Sequence, residues 1–115
     1  MKIKPTYNAE LYLGSINEES KEEISYEKLV REIGLFQDEA ITLVPVCVTA
    51  VEFISGSAYR EKGWRVSVIN YPKIELAPKD IDKFMLNLAE VLAIVCKQRR
   101  ITVIGSKKTV MVENL

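Results

Sequence analysis

The stretch Ser55-Gly56-Ser57-Ala58-Tyr59-Arg60-Glu61-Lys62-Gly63-Trp64 gathers the residue types best suited to holding a small molecule. Backbone amides beside glycine can approach an anion closely, and an arginine can fork onto phosphate or carboxylate. Tyr59 and Trp64 offer faces on which a ring can stack, and Arg65 follows directly. Tyr59, Arg60, Trp64 and Arg65 are therefore the candidate ligand-binding residues, for a small anionic molecule such as a nucleotide. The glycine spacing of a Walker loop is missing. The plainer alternative is a mobile hairpin connection between two strands. Glu52 lies just upstream, in the same parity series as Val44, Val46, Val48, Ala50 and Ile54. A carboxylate on an apolar strand face either pairs with a base or is held protonated. Arg60 or Arg65 is a partner within reach. Glu52 is thus a weak candidate catalytic base, with Tyr59 and Arg60, for a small hydrolase or isomerase. The alternative is a strand-end Glu reaching solvent.

The chain of 115 residues contains no histidine. Ser–His and Cys–His nucleophile pairs, histidine general bases and histidine metal sites are all excluded. Its two cysteines, Cys47 and Cys96, cannot build a structural zinc site, so no metal and no cofactor is expected. They are also too few for a disulfide framework; both are expected to be reduced, buried and unreactive, in a cytoplasmic setting. No apolar run is long enough to cross a bilayer, and the N-terminus does not read as a secretory signal. Carboxylate, lysine and tyrosine chemistry stays open, but the composition favours binding over catalysis.

Formal charge is balanced at 16 basic and 16 acidic residues, yet unevenly placed. Residues 1–57 hold 5 basic and 10 acidic groups; residues 58–115 hold 11 and 6. Two solvated surfaces of one domain account for this, as would an anion site in the second half or charge-complementary self-assembly.

The elements that must position these groups follow from periodicity. Ala9 to Gly14 alternates with period two and reads as a strand after an N-terminal tail over 1–8. Tyr26, Leu29, Val30 and Ile33 make a helical stripe preceded by Ser20 and Ser25 as candidate caps, and the helix extends to about Gln37. Ile41 to Ile54 is apolar on both parities, which predicts a strand covered on both faces, with regular pairing after Pro45. Trp64 to Tyr71 is the next strand. A second helix starts at Pro78 and carries Ile81, Phe84, Met85, Leu88, Ala89, Leu92 and Val95 on a wide apolar face. Ile101 to Ile104 is a strand, Gly105 to Lys108 a turn, and Thr109 to Glu113 a candidate extra strand.

The order β-α-β-β-α-β over a single domain, 1–115, predicts an α+β fold. Its economical packing is a ferredoxin-like antiparallel sheet with two helices on one face. The helices would cover Leu11, Leu13, Val66 and Val68. The open face would carry Tyr12, Ile69 and Tyr71 with parts of Cys47, Val51 and Phe53, too apolar to stay wet. Burial in a homo-oligomer is the expected remedy, with Tyr12, Ile69 and Tyr71 as the oligomer face.

Leu11-Tyr12-Leu13-Gly14-Ser15-Ile16 resembles the first RNA-contacting strand motif of RNA-recognition-motif domains, and Lys62-Gly63-Trp64 resembles the start of their second. The resemblance implies base stacking on Tyr12 and Trp64. Arg65, Val66 and Ser67 depart from that pattern, the alternation turns Trp64 toward the core with Val66 and Val68, and a neutral domain lacks a basic footprint. Nucleic acid is not the favoured partner. The reading reached from sequence is a small non-enzymatic binding or assembly domain, homo-oligomeric, holding a small anionic ligand beside the Tyr59–Trp64 loop. An RNA-binding domain and a small hydrolase or isomerase are the alternatives.

Overall fold

The computed structural model describes Met1, residues 7–69 and residues 76–114. Seven elements follow in chain order: β1 (Asn8–Gly14), α1 (Tyr26–Glu39), β2 (Val46–Ile54), β3 (Arg60–Ile69), α2 (Pro78–Val95), β4 (Arg100–Ile104) and β5 (Thr109–Glu113). The strands form one antiparallel sheet in the order β2-β3-β1-β4-β5. The first four give the ferredoxin-like arrangement, and β5 is added as a hairpin beyond β4. The expected α+β fold, including the extra C-terminal strand, is what forms.

Local chemistry explains each boundary. Ser25 caps α1, its side chain accepting from the Lys28 N–H. Leu29 and Ile33 are its buried residues, while Tyr26 and Val30 stay partly exposed at the flank of the stripe. α2 begins on Pro78, where a missing N–H costs nothing. It ends at Cys96, after which Lys97 adopts a left-handed φ of 52°. The Gln98 N–H then reaches back to the Ala93 carbonyl (2.9 Å) and the Lys97 N–H to that of Ile94 (3.3 Å). That pair of bonds is the Schellman closure, here with lysine in place of the usual glycine.

The core lies between the helices and the inner sheet face. Leu11, Leu13, Val66, Val68, Ile101 and Val103 meet Ile81, Met85, Leu88 and Leu92 there, with Cys96 among them. Burial pushes the Cys96 thiol up to about 11.

Four sequence expectations need correction. β2 is an edge strand, not one covered on both faces; Thr49 and Ala50 are exposed and Ile54 is largely so. An apolar run on both parities thus marks an edge here: α2 packs on β1, β4 and β5, and of β2 only Val46 and Val48 reach the core. Cys47 is consequently exposed rather than buried, with its Sγ 2.9 Å from Ser67 Oγ. β3 starts at Arg60 instead of Trp64, because Glu52, Phe53 and Ile54 pair with Lys62, Glu61 and Arg60 and carry the ladder almost to the turn. α1 runs two residues past Gln37. Tyr71 and most of the tail over 1–8 lie outside the described residues, and Ile69 is described only by its backbone pairing to Asn8. Among the described residues no helix is long and apolar enough to cross a membrane.

Candidate functional site

Alternation along β3 separates the residues that the sequence grouped as one loop. Glu61, Gly63 and Arg65 face the open side of the sheet; Arg60, Lys62 and Trp64 face the other. Trp64 packs beneath the sheet, its Nε1–H donating to the Ile24 carbonyl (3.2 Å) and its ring 6.0 Å from that of Tyr26. Tyr12 lies on the open face. The two aromatics that resembled RNA-stacking positions thus sit on opposite faces and cannot form one platform, so the RNA-binding reading fails.

Arg60 makes a two-pronged pair with Glu52, Nε to Oε2 at 3.2 Å and Nη2 to Oε1 at 3.0 Å. Both are solvent-exposed, so the pair is worth at most about 1 kcal/mol. Arg65 pairs with Glu10 at 2.6 Å in the middle of the open face, and this bond raises the guanidinium further above its usual range. With Thr49, Ser67 and Thr102, that pair makes the face more polar than its apolar positions suggested.

What the sheet does bring together is a cleft at the other end of the open face. Its volume is about 390 Å³, and its walls include Tyr12, Gly14, Phe53, Glu61, Gln98 and Arg100. The residues come from the end of β1, the end of β2, the start of β3, and the link from α2 into β4. Phe53 sets its ring edge against Tyr12 at 6.1 Å and lies across Gly63, where a Cβ would overlap it. Glu61 is the direct cross-strand partner of Phe53, and its carboxylate lies over Gly14; a Cβ at Gly14 would come within 2.9 Å of Glu61 Oε1. The Tyr59 hydroxyl donates to Glu61 Oε2 (2.7 Å), and this bond to a carboxylate raises the Tyr59 phenol above its usual value. Among the described residues no lysine or arginine lies within ion-pair distance of Glu61. Arg99 and Arg100 also line the cleft, Arg100 paired loosely with Glu113 at 3.8 Å. Two aromatic side chains, a carboxylate and two arginines thus border a space of the size small-molecule sites occupy.

Of the sequence candidates, Tyr59 reaches this site through Glu61 and Tyr12 lines it directly. Glu52, Arg60, Trp64 and Arg65 are not in its walls. Glu61, Gly14, Phe53 and Gln98 were not singled out. The available signal was the period-two set Glu61, Gly63, Arg65, once β3 is known to start at Arg60.

A second, smaller pocket of about 140 Å³ lies between α2 and the β4–β5 hairpin. Asp82 closes it, accepting from the Ser106 N–H (3.2 Å), from Ser106 Oγ (2.6 Å) and from the Tyr7 hydroxyl. Partial burial works against ionising Asp82, but these donors outweigh it and hold the carboxyl below its usual range. The cluster is a structural clamp, with both carboxylate oxygens already accepting.

No family model matches the sequence, and no curated protein matches it. Two solved structures do. One is a phage SAM lyase in complex with S-methyl-5′-thioadenosine, 11% identical, with a TM-score of 0.69. The other is a phage SAM lyase in the apo state, 13% identical, with a TM-score of 0.73. Each alignment covers 99% of this chain and 94% of the other. At this identity the likeness establishes the shared fold. It goes against the sequence reading of a small non-enzymatic binding or assembly domain, since both of these matched structures are of a lyase and one is in complex with S-methyl-5′-thioadenosine.

Proposed function

We propose that this chain binds S-adenosylmethionine in the cleft between Tyr12, Phe53, Glu61 and Arg100 and cleaves it as a lyase, releasing S-methyl-5′-thioadenosine. The observation that supports this most is the match of nearly the whole fold to a phage SAM lyase. The chemistry of the cleft agrees with it. The substrate is a sulfonium cation carrying an adenine ring, a ribose and an amino-acid end. Tyr12 and Phe53 offer aromatic faces to the ring and the cation. Glu61 answers the positive charge, and Arg99 or Arg100 the carboxylate.

Lyase cleavage breaks the bond between sulfur and the amino-acid side chain. The bonding pair stays on sulfur, which turns the cation into a neutral thioether. The four-carbon fragment is balanced by losing a proton or by closing on its own carboxylate. Neither route needs histidine, a metal or water as reactant, so the absence of histidine is no obstacle. Because charge is lost along the reaction, a cleft floored by Gly14 and walled by aromatics supplies orientation and water exclusion more than acid–base chemistry.

Self-association belongs to the same proposal. Met111 and the part-buried Val51 and Phe53 leave apolar area on the open face that a second copy would cover. The chain would act as one domain over 1–115, in a reducing cytoplasm compatible with the unpaired Cys47 and Cys96. Calorimetry with S-adenosylmethionine and S-methyl-5′-thioadenosine tests the site. Glu61→Gln should weaken the cationic ligand about tenfold or more and the neutral one much less. Equal effects on both, or none on either, would refute the placement.

A further inference from the structure

We propose that Gln98 is a positioning residue for the cleft: its side-chain amide fixes the end of β1 so that the bare Gly14 backbone stays in place as the floor beneath Glu61. This rests on the reading that the cleft takes a nucleoside.

Gln98 is 5% exposed, one of three buried polar residues among the described residues. The Schellman closure that ends α2 aims its side chain inward. Oε1 accepts from the Gly14 N–H at 3.1 Å, and Nε2 donates to the Ile16 carbonyl at 2.7 Å. A third, longer bond runs from Nε2 to the Cys96 carbonyl (3.4 Å). Named pairing of β1 with β4 stops at Tyr12–Thr102, so the Gln98 amide continues the attachment of β1 where the ladder ends. The geometry is close enough to matter for the site. A Cβ at Gly14 would lie 2.9 Å from Glu61 Oε1 and 3.3 Å from Gln98 Oε1. Two oxygens therefore converge over one bare α-carbon. That of Gln98 is occupied by the Gly14 N–H, while Glu61 has the Tyr59 hydroxyl on Oε2 and no donor among the described residues on Oε1.

Only a neutral amide serves both contacts at every pH. A Glu at this place, when protonated, has one donor for the Ile16 carbonyl and one acceptor for the Gly14 N–H, and gives up only the longer bond to Cys96. Once ionised it has no donor for Ile16 and shares the cleft with the charged groups of Glu61, which converges on the same α-carbon, and of Glu18, Arg99 and Arg100. Methionine fills the space and makes neither bond.

The test uses Gln98→Glu and Gln98→Met, with neutral S-methyl-5′-thioadenosine as probe so that charge at position 98 does not act on the ligand directly. Two readouts are followed against pH: the backbone amide NMR signal of Gly14 and the affinity for the probe. In Gln98→Glu the Gly14 signal should coincide with that of the parent protein while the new acid is protonated, and move away as it ionises. Affinity should fall in step by about tenfold, the scale of one lost hydrogen bond. Gln98→Met should show the loss at every pH, and the parent at none. A Gly14 signal in Gln98→Glu that follows the parent at all pH values overturns the proposal, as does unchanged affinity in both folded variants. If the parent itself binds no S-methyl-5′-thioadenosine, the proposed function fails instead, and the Gly14 titration alone decides whether Gln98 holds β1.

Discussion

Adding one methyl group at Gly63 should damage both the fold and the site, and the structure sets the size of the damage. Gly63 is buried on β3, facing the open side beneath the Phe53 ring. A Cβ there overlaps the ring and comes to 2.5 Å from the Leu13 carbonyl on β1. The backbone on that side is held by the β1 and β3 ladder, so the ring must move. Overpacking of this kind costs about 1–3 kcal/mol. Separating Phe53 from Tyr12 forfeits roughly 0.5–1.5 kcal/mol more. Replacing a strand glycine by alanine returns roughly 0.5–1 kcal/mol of chain entropy. The net is a destabilisation of about 1–3 kcal/mol, or roughly 4–12 °C in melting temperature. Gly34 is the control. It lies in α1 with nothing within 4 Å of a new Cβ, so Gly34→Ala should stabilise by about 0.5–1 kcal/mol. Thermal unfolding by circular dichroism measures both. A Gly63→Ala protein as stable as its parent, with nucleoside affinity unchanged, would refute the packing that builds the aromatic wall of the cleft.

Three further outcomes follow from residues outside the cleft. Asp82→Asn should destabilise by about 1–2 kcal/mol at neutral pH, read from chemical unfolding. Because folding lowers the Asp82 value, its contribution is complete above the unfolded-state range near pH 4 and is lost as pH falls through the lowered value, so the variant should show a shallower acid transition. Under native conditions a thiol reagent should label Cys47 and spare Cys96 until the protein unfolds; labelling of both at one rate would contradict the burial of Cys96. Arg60→Ala should change stability by no more than about 1 kcal/mol and leave nucleoside binding intact, since its partner Glu52 is exposed and neither lines the cleft.

The fold was legible because two periodicities were clean. Leu11, Leu13, Val66 and Val68 alternate at period two and all face the helices, and Ile81, Met85, Leu88 and Leu92 recur at helical spacing and all are buried. The edge position of β2 was not legible, since Val46 to Ile54 has the composition of a strand covered on both faces and only sheet order reveals which strand lies outermost. The candidate site was hidden for a related reason. Reading 55–64 as one loop placed Tyr59, Arg60 and Trp64 on one surface, whereas a strand beginning at Arg60 sends neighbours to opposite faces. The cleft itself joins Gly14, Phe53, Glu61 and Gln98, which are separated by up to 84 positions and form no local motif. Gln98 shows the difficulty in one residue: a lone glutamine after a helix carries no pattern, and its role comes from a left-handed Lys97 that turns it inward.

The most direct measurement is turnover. Purified protein is incubated with S-adenosylmethionine, and the products are followed by liquid chromatography with mass spectrometry. The account predicts S-methyl-5′-thioadenosine accumulating in proportion to protein and time, without a metal or added cofactor. The four-carbon fragment should appear in equal amount, and Gly63→Ala should give markedly less of both. Intact S-adenosylmethionine after prolonged incubation with folded protein, or products in which adenine or the methyl group has left instead, would contradict it.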